Sequence, residues 1–183
     1  MADNYPGNGA YNIYSGFSDF SYKCISYLMD NNELIWKLLK YKDPEAWDKA
    51  NLTVAEKAAL IYKGQEDTST SNVFMDVGQP DAWTREDCIL RISPHSIFPD
   101  NRTVGTMSML FEIYAHYKCN HLSNYKVRID WITEELIGLF NGVNIAGIGR
   151  LFMDRVALFD SRAIPGGQTP YKGRWMIFGN KMG

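Results

Sequence analysis

The sequence predicts an α+β protein, in which a helical N-terminal third precedes a mainly antiparallel β-sheet with one helix packed on it. Apolar residues recur at helical spacing between residues 18 and 64. Residues 103–117 instead alternate with the period of a strand, and residues 125–140 form one amphipathic stretch between strand-like segments. A lone amphipathic helix among strands has to bury its apolar side against their sheet.

Two short helices are predicted at the start of the helical third. The adjacent residues Asn31 and Asn32 predict a break between them. The apolar stripes are Phe20, Cys24, Ile25, Leu28 and Met29 in the first helix, and Leu34, Ile35, Leu38 and Leu39 in the second. Both helices are therefore expected to pack through one face.

Capping residues predict the remainder of this third. Asp43 followed by Pro44 is typical of an N-cap and a first helical position, and predicts a turn through Trp47. Thr53 with Glu56 three residues later predicts a capping box that begins a helix reaching residues 60–62.

The polar stretch GQEDTSTS at residues 64–71 predicts a boundary. We therefore divide the chain into an extended arm at residues 1–17, a helical region at 18–64 and an α+β sheet region at 65–183. The helical and sheet regions are expected to form one compact domain.

The stretch of residues 103–117 predicts an unusually long strand, roughly 15 residues where about 5 to 6 are usual. One face carries Met107, Met109, Phe111, Ile113, Ala115 and Tyr117, and the other carries Thr106, Ser108, Glu112, Tyr114 and His116. A long amphipathic strand needs a cover for its second face or its edge, and a neighbouring subunit is an economical one.

Shorter strands are predicted around this long one, at residues 73–77, 88–92, 150–159 and 174–178. Pro94 and Pro99 predict a loop between the second and the long strand. The helix at 125–140 is expected to pack through Ile132, Leu136 and Leu139, and to stop in a left-handed turn at residues 141–142 (Asn-Gly).

Composition and charge exclude several function classes. The net charge of −2 and the pI near 5.9 argue against a protein that binds the phosphate backbone of nucleic acid. No apolar run approaches the roughly 20 residues of a membrane span. The cysteines Cys24, Cys88 and Cys119 are widely spaced without a CxxC motif, which is typical of a reducing compartment and of buried apolar side chains.

Three groups of residues have side chains or spacings that could form a chemical site. His116, Cys119 and His121 have metal-ligand types but not the spacing of a known zinc motif. Gly142, Gly147 and Gly149 follow a helix and precede a strand, which is the reverse of a phosphate-binding loop. The carboxylates Asp130, Glu134 and Glu135 are typical of a solvated helix face.

No hydrolase, metalloprotease or nucleotide-binding motif occurs. The sequence therefore favours a protein that is not an enzyme and that has no metal, cofactor or catalytic residue. Two alternatives stay open: a small cytoplasmic enzyme using His116 with nearby carboxylates, and an intracellular binding module that recognises a peptide by strand addition.

The arm and the loop at residues 160–172 are the expected contacts between subunits. The arm cannot fold alone but carries tyrosines, and the loop contains a Pro-Gly-Gly turn. The interface candidates are Tyr5, Tyr11, Tyr14, Ile164, Pro165, Gln168 and Tyr171.

The segment YKVRIDWITEELIGLFNG (residues 125–142), the strand IGRLF that follows it at 148–152 and the long strand before it resemble neck proteins of tailed bacteriophages. The segment YLMDNNELIWKLLKY at 27–41 resembles the helical opening of some of these proteins. The group comprises tail terminators, tail-completion proteins and head-tail connectors. The helical third is larger than a minimal terminator needs.

The resemblance implies a structural virion protein that forms a homo-oligomeric ring, commonly hexameric, at the neck/tail junction. Its partners would be further copies of itself and the neighbouring neck, portal-adaptor and tail proteins. DNA would pass through the channel without sequence-specific binding. The protein would stay in the host cytoplasm during assembly and would not contact a membrane.

Overall fold

The computed structural model describes residues 19–64, 69–75, 85–99, 105–145, 149–159 and 171–182. The helices are α1 (Phe20–Asn31), α2 (Leu34–Lys40), α3 (Val54–Ala59) and α4 (Arg128–Phe140), with short 3₁₀ turns at Ala46–Asp48 and Tyr117–Cys119. The strands are β1 (Val73–Phe74), β2 (Cys88–Pro99), β3 (Gly105–His116), β4 (Asn144–Ile145), β5 (Gly149–Arg150), β6 (Phe152–Phe159) and β7 (Tyr171–Met182). This order confirms the predicted α+β class.

The break between α1 and α2 lies at the two asparagines, as predicted. The side-chain oxygen of Asn32 accepts a hydrogen bond from the Ile35 N–H at 2.8 Å, so it satisfies a donor that the start of α2 leaves free. The apolar stripes of both helices lie in the core, and Leu28, Ile35 and Leu38 are fully buried. None of the helices in the described ranges is both long and apolar enough to cross a bilayer.

The predicted capping box at α3 is confirmed. The Thr53 side chain accepts from the Glu56 N–H, and the Glu56 carboxylate accepts from the Thr53 N–H at 2.8 Å. Lys40 also donates to Glu56 at 2.6 Å, which ties α2 to the start of α3. These bonds, first that from Lys40 and then those from Thr53, lower the pKa of Glu56 to about 2.

Within the described residues, the main sheet has five strands in the order β1-β2-β3-β7-β6. Of these described strands only β1 runs parallel to its neighbour, so the sheet is mainly antiparallel, as predicted. β4 and β5 form a separate two-stranded ladder, and a single residue outside the strands, Leu151, separates β5 from β6. The predicted strand at 150–159 is therefore divided, whereas the last strand begins earlier than predicted, at Tyr171.

The core lies between the helices and one face of the sheet. Phe111 of β3 contacts Phe140 of α4 and Phe178 of β7, with ring centroids 4.9 and 5.0 Å apart. Ile132 and Leu136 of α4 are fully buried and Leu139 is partly buried against the same cluster, which confirms the predicted packing face. We call this side of the sheet the helix face and the opposite side the outer face.

The predicted loop between Pro94 and Pro99 is wrong, because both prolines lie within β2. Pro94 pairs with Met109, and the register shifts between Pro94 and Ser96. β1 pairs only with Leu90 and Arg91, so beyond Arg91 no described strand pairs with the other side of β2. Proline is tolerated at such an edge and at a bulge, since its missing N–H leaves no ladder partner unsatisfied there.

The predicted stop of α4 is confirmed. Gly142 has a φ of +81°, a left-handed conformation that glycine adopts without a steric penalty. The helix begins at Arg128, three residues later than predicted, because Tyr125 itself has a positive φ. Gly147 lies outside the described residues.

Candidate interaction surface

An open groove crosses four strands at one end of the outer face. The register aligns Ser96 of β2 with Ser108 of β3, Ser108 with Gly179 of β7, and Gly179 with Phe152 of β6. Because aligned residues of neighbouring strands point to the same face, these four positions form one row across the sheet. Phe98 lies in the next row, opposite Thr106. We call this feature the Phe98–Phe152 groove.

The groove has aromatic walls and a floor of small residues, and its volume is about 400 Å³. Phe98 and Phe152 are 63% and 54% exposed, which is unusual for phenylalanine on a single folded subunit. The floor carries the hydroxyls of Ser96 and Ser108, which are 2.5 Å apart. Gly179 adds no side chain, and a Cβ built on it would have Met107 O as its nearest neighbour, at 3.9 Å.

The centre of the outer face is polar but buried. Arg91 forms an ion pair with Glu112 at 3.3 Å, and the Tyr114 hydroxyl donates to the other Glu112 oxygen at 2.7 Å. Burial, and then the bond to Glu112, raises the pKa of Tyr114. The Ser93 hydroxyl is buried as well, and none of the described residues forms a hydrogen bond with it. This polar layer separates the groove from the other end of the face.

That other end holds a small apolar cluster that includes Tyr171. Phe74, Ile89, Tyr114 and Tyr171 are buried together, with Tyr62 packed against them. The Tyr171 hydroxyl donates to the Arg85 carbonyl, and burial raises the pKa of Tyr171. Tyr171 was predicted as a candidate for a subunit interface, but its side chain is fully buried within the subunit. The structure therefore uses it as a core residue.

The other interface candidates cannot be placed. Tyr5, Tyr11, Tyr14, Ile164, Pro165 and Gln168 lie outside the described residues. Their role in contacts between subunits stays a prediction.

The residues with metal-ligand side chains lie at the end of β3. Nδ1 of His116 accepts from the Lys118 N–H at 3.2 Å, and its ring packs edge-on against Tyr171 with centroids 5.4 Å apart. The Cys119 thiol is buried and donates to the His116 carbonyl at 3.3 Å, whereas His121 is exposed. Desolvation lowers the pKa of His116 and raises that of Cys119. Across the described ranges, no three His, Cys, Asp or Glu residues cluster closely enough to hold a metal ion.

The carboxylates of α4 are largely engaged in structural contacts. Asp130 pairs with Arg174 of β7 at 2.5 Å, and Glu135 accepts from the Asn32 side chain at 2.7 Å. Glu134 is exposed, in keeping with the prediction of a solvated helix face. The two contacts join α4 to the sheet and to the break between α1 and α2.

A second exposed feature, which sequence reasoning missed, is a tight turn before α4. His121 and Val127 form an antiparallel bridge, Leu122 N–H donates to Lys126 O, and Tyr125 N–H donates to Leu122 O. This is the pattern of a three-residue hairpin loop that closes with a left-handed residue, normally glycine. We call residues 121–127 the Tyr125 turn.

Tyr125 occupies the left-handed position of the turn with a φ of +64°, and it is 100% exposed. A non-glycine residue in this conformation costs about 1 kcal/mol or more. The tyrosine ring recovers none of that cost by burial within the subunit. LSNYK contains no glycine, and its asparagine lies one residue before the left-handed position, so the sequence predicts Tyr125 as part of the helix.

The Tyr125 turn is held rigidly from both sides. Ser123 N–H donates to the Pro44 carbonyl at 3.0 Å, and the Trp47 indole donates to the Ser123 hydroxyl at 3.3 Å. On the other side, the Lys126 ammonium lies 3.9 Å from the centroid of the Trp131 ring. The backbone of the turn is therefore held in place on both sides of Tyr125, whose side chain projects into solvent.

Arg128 anchors the base of this turn. Its side chain is fully buried, and its guanidinium donates to five backbone carbonyls rather than to a carboxylate. The acceptors are Cys119, Leu38, Tyr41, Lys42 and Asp43, at 2.6, 2.5, 2.6, 3.2 and 2.9 Å. The planar fork of arginine supplies the five donors that this arrangement needs.

Comparison with known proteins identifies one family. The family model YomW matches residues 32–178, which is about four fifths of the chain. No curated protein sequence matches the chain. The chain belongs to the YomW family, a phage-derived family from the yom locus of SPbeta-like Bacillus phages.

Proposed function

We propose that this YomW-family chain is a structural virion protein that forms a homo-oligomeric ring in the neck of a tailed phage, as a tail terminator or tail-completion protein. The phage origin of the family supports a role in the particle. The observation that carries the ring is the presence of two separate exposed aromatic features, the Phe98–Phe152 groove and the Tyr125 turn, on one subunit. Two different surfaces are what a head-to-tail ring requires.

The sheet edge supports the same proposal. β6 ends the strand order on its side of the described sheet, and it begins with the exposed pair Phe152 and Met153. An exposed edge with apolar side chains favours association with another chain. In the ring, a neighbouring subunit provides that cover.

The charge suits a channel through which DNA moves. A net charge of −2 gives the chain no excess of positive groups to bind phosphates, so DNA passes without being held. The proposed partners are further copies of the chain, most simply five in a hexamer, together with the portal-adaptor and tail proteins above and below.

The contacts of His116 support a structural role rather than the alternative of a small enzyme. Its Nδ1 accepts a backbone hydrogen bond, its ring packs on Tyr171, and its lowered pKa keeps it neutral near pH 7. A catalytic activity of the purified protein that a His116→Asn variant loses would favour the alternative of a small enzyme over the structural role.

The test is the mass of the native assembly, measured on the full chain by native mass spectrometry and analytical ultracentrifugation. We expect one closed species with a mass that is a whole multiple of the 20.9 kDa subunit. Immunogold labelling of purified phage particles should place the chain at the neck. A protein that stays monomeric at all accessible concentrations and is absent from particles would overturn the proposal.

A further inference from the structure

We propose that Tyr125 of one copy inserts into the Phe98–Phe152 groove of the next copy, and that this contact closes the ring. The inference rests on the proposed function and names its interface. It commits to a second copy of this chain as the occupant of the groove.

The first step is the conformation of Tyr125. The residue is fully exposed and adopts a left-handed backbone conformation that glycine would adopt at lower cost. Strained residues in rigid surroundings are enriched at functional sites. The Pro44, Ser123 and Trp47 contacts fix the backbone of the turn, so docking has to order only the exposed Tyr125 side chain.

The second step is the fit of a tyrosine to the groove. Tyrosine has an apolar ring and a hydroxyl that needs a partner when buried. The walls Phe98 and Phe152 offer aromatic surfaces to the ring, and the Ser96 and Ser108 hydroxyls on the floor offer partners to the phenol. A Cβ built on Gly179 has Met107 O at 3.9 Å as its nearest neighbour, so among the described residues no side-chain atom crowds the floor at this point.

The third step is charge. Lys126 follows Tyr125 directly and is exposed, and Asp154 is exposed among the groove residues. In the proposed contact, the two surfaces that meet therefore carry opposite charges, and the Lys126 ammonium, 3.9 Å from the Trp131 ring in the subunit, lies on the side of the turn. Such opposite charges favour the correct orientation of encounter.

The fourth step is position. The groove lies near Ser108, whereas the Tyr125 turn follows the other end of β3 at His116. Ser108 and His116 are eight positions apart in β3, which corresponds to roughly 27 Å along the strand at about 3.4 Å per residue. A projection and its recess at opposite ends of one subunit give a heterologous contact, which closes into a ring when the rotation between copies permits.

The experiment uses variants that each remove one half of the contact. Tyr125→Gly removes the aromatic side chain and relaxes the backbone of the turn. Gly179→Leu fills the groove, and Phe152→Ser removes one of its two aromatic walls. Gly179→Ala is the matched control, because a Cβ at this position meets only ordinary contacts. Thermal melting of each subunit establishes that the variants fold, and Tyr125→Gly should melt no lower than the wild type.

We expect Tyr125→Gly and Gly179→Leu each to abolish the oligomeric ring. Each should raise the dissociation constant of self-association at least about thirtyfold, as expected for the loss of a hot-spot tyrosine contact. Tyr125→Phe should weaken assembly only a few-fold, and Gly179→Ala should leave it unchanged. Mixing Tyr125→Gly with Gly179→Leu should give a one-to-one dimer and no ring, because one intact recess meets one intact projection. Phe152→Ser should replace Gly179→Leu in this mixture if the latter does not fold.

The outcomes separate the two proposals. Rings formed by Tyr125→Gly with wild-type affinity would overturn this contact and leave the ring itself standing. Loss of the ring in both variants without a dimer in the mixture would also overturn it, since the two sites would then not face each other. A wild-type protein that forms no ring would overturn the proposed function together with this contact.

Discussion

The two faces of β3 (Gly105–His116) differ in chemistry although one strand forms both, because its side chains point alternately to one face and to the other. On the helix face every side chain from Met107 to Ala115 is apolar and fully buried. On the outer face the sequence is polar, with the Arg91–Glu112–Tyr114 network at the centre and an open groove at one end. The helix face therefore supplies the main core of the subunit, whereas the groove end of the outer face is open to contacts with another chain.

The largest effect should come from breaking the helix face. We expect Leu136→Asp to destabilise the subunit by about 4 kcal/mol or more, because it places an unpaired charge in a fully buried position between α4 and the sheet. Denaturant unfolding measures this change. Leu139→Asp is the matched control, since Leu139 is only partly buried and should cost clearly less. Equal costs would show that the packing face is assigned wrongly.

An intermediate effect should come from the centre of the outer face. We expect Glu112→Leu to cost about 3 kcal/mol, because it removes the carboxylate that pairs with the buried Arg91 and accepts from the Tyr114 hydroxyl. Replacing Arg91 by Leu in addition should recover most of this loss. A double variant that is less stable than Glu112→Leu would show that the ion pair is not the dominant interaction.

The smallest effect concerns pH. Desolvation lowers the pKa of His116 below the value of about 6.5 that it has in the unfolded chain, so the unfolded chain binds more protons below that pH. The contribution of neutral His116 to the stability of the subunit is therefore fully present above pH 6.5. It falls as the pH drops from about 6.5 toward the lower pKa of His116 in the folded subunit. His116→Asn keeps an acceptor for the Lys118 N–H without titrating. Its stability should fall less between pH 7 and pH 5, as measured by melting in matched buffers.

The helix face could be predicted from the sequence because its signals are local. Ile132 and Leu136 recur at helical spacing, Thr53 and Glu56 form a capping box, and the residues of β3 alternate. Each of these patterns lies within a single helix or a single strand. The residues that interact to produce it are therefore close to each other in the sequence.

The groove and the turn could not be predicted in the same way. The row that joins Ser96 to Phe152 depends on the registers of three strand pairs, and the sequence does not show which residues become aligned. In the sequence, Pro94 predicts a loop. Its position at an unpaired edge of β2 follows from the order of the strands in the sheet, which the sequence does not show. Tyr125 gave no signal, since glycine or asparagine normally marks a left-handed position.

The buried guanidinium of Arg128 affects the order in which the chain can mature on the ribosome. Four of the five carbonyls that it binds belong to residues 38–43, which are synthesised long before Arg128 itself. Until that arginine emerges, these carbonyls lack the guanidinium donors of the finished subunit, although the Asp43 carbonyl also accepts from the Ala46 N–H at 3.1 Å. The helical third should therefore complete its packing only after more than two thirds of the chain has been translated. Nascent chains stalled before residue 128 should remain sensitive to protease between α2 and α3.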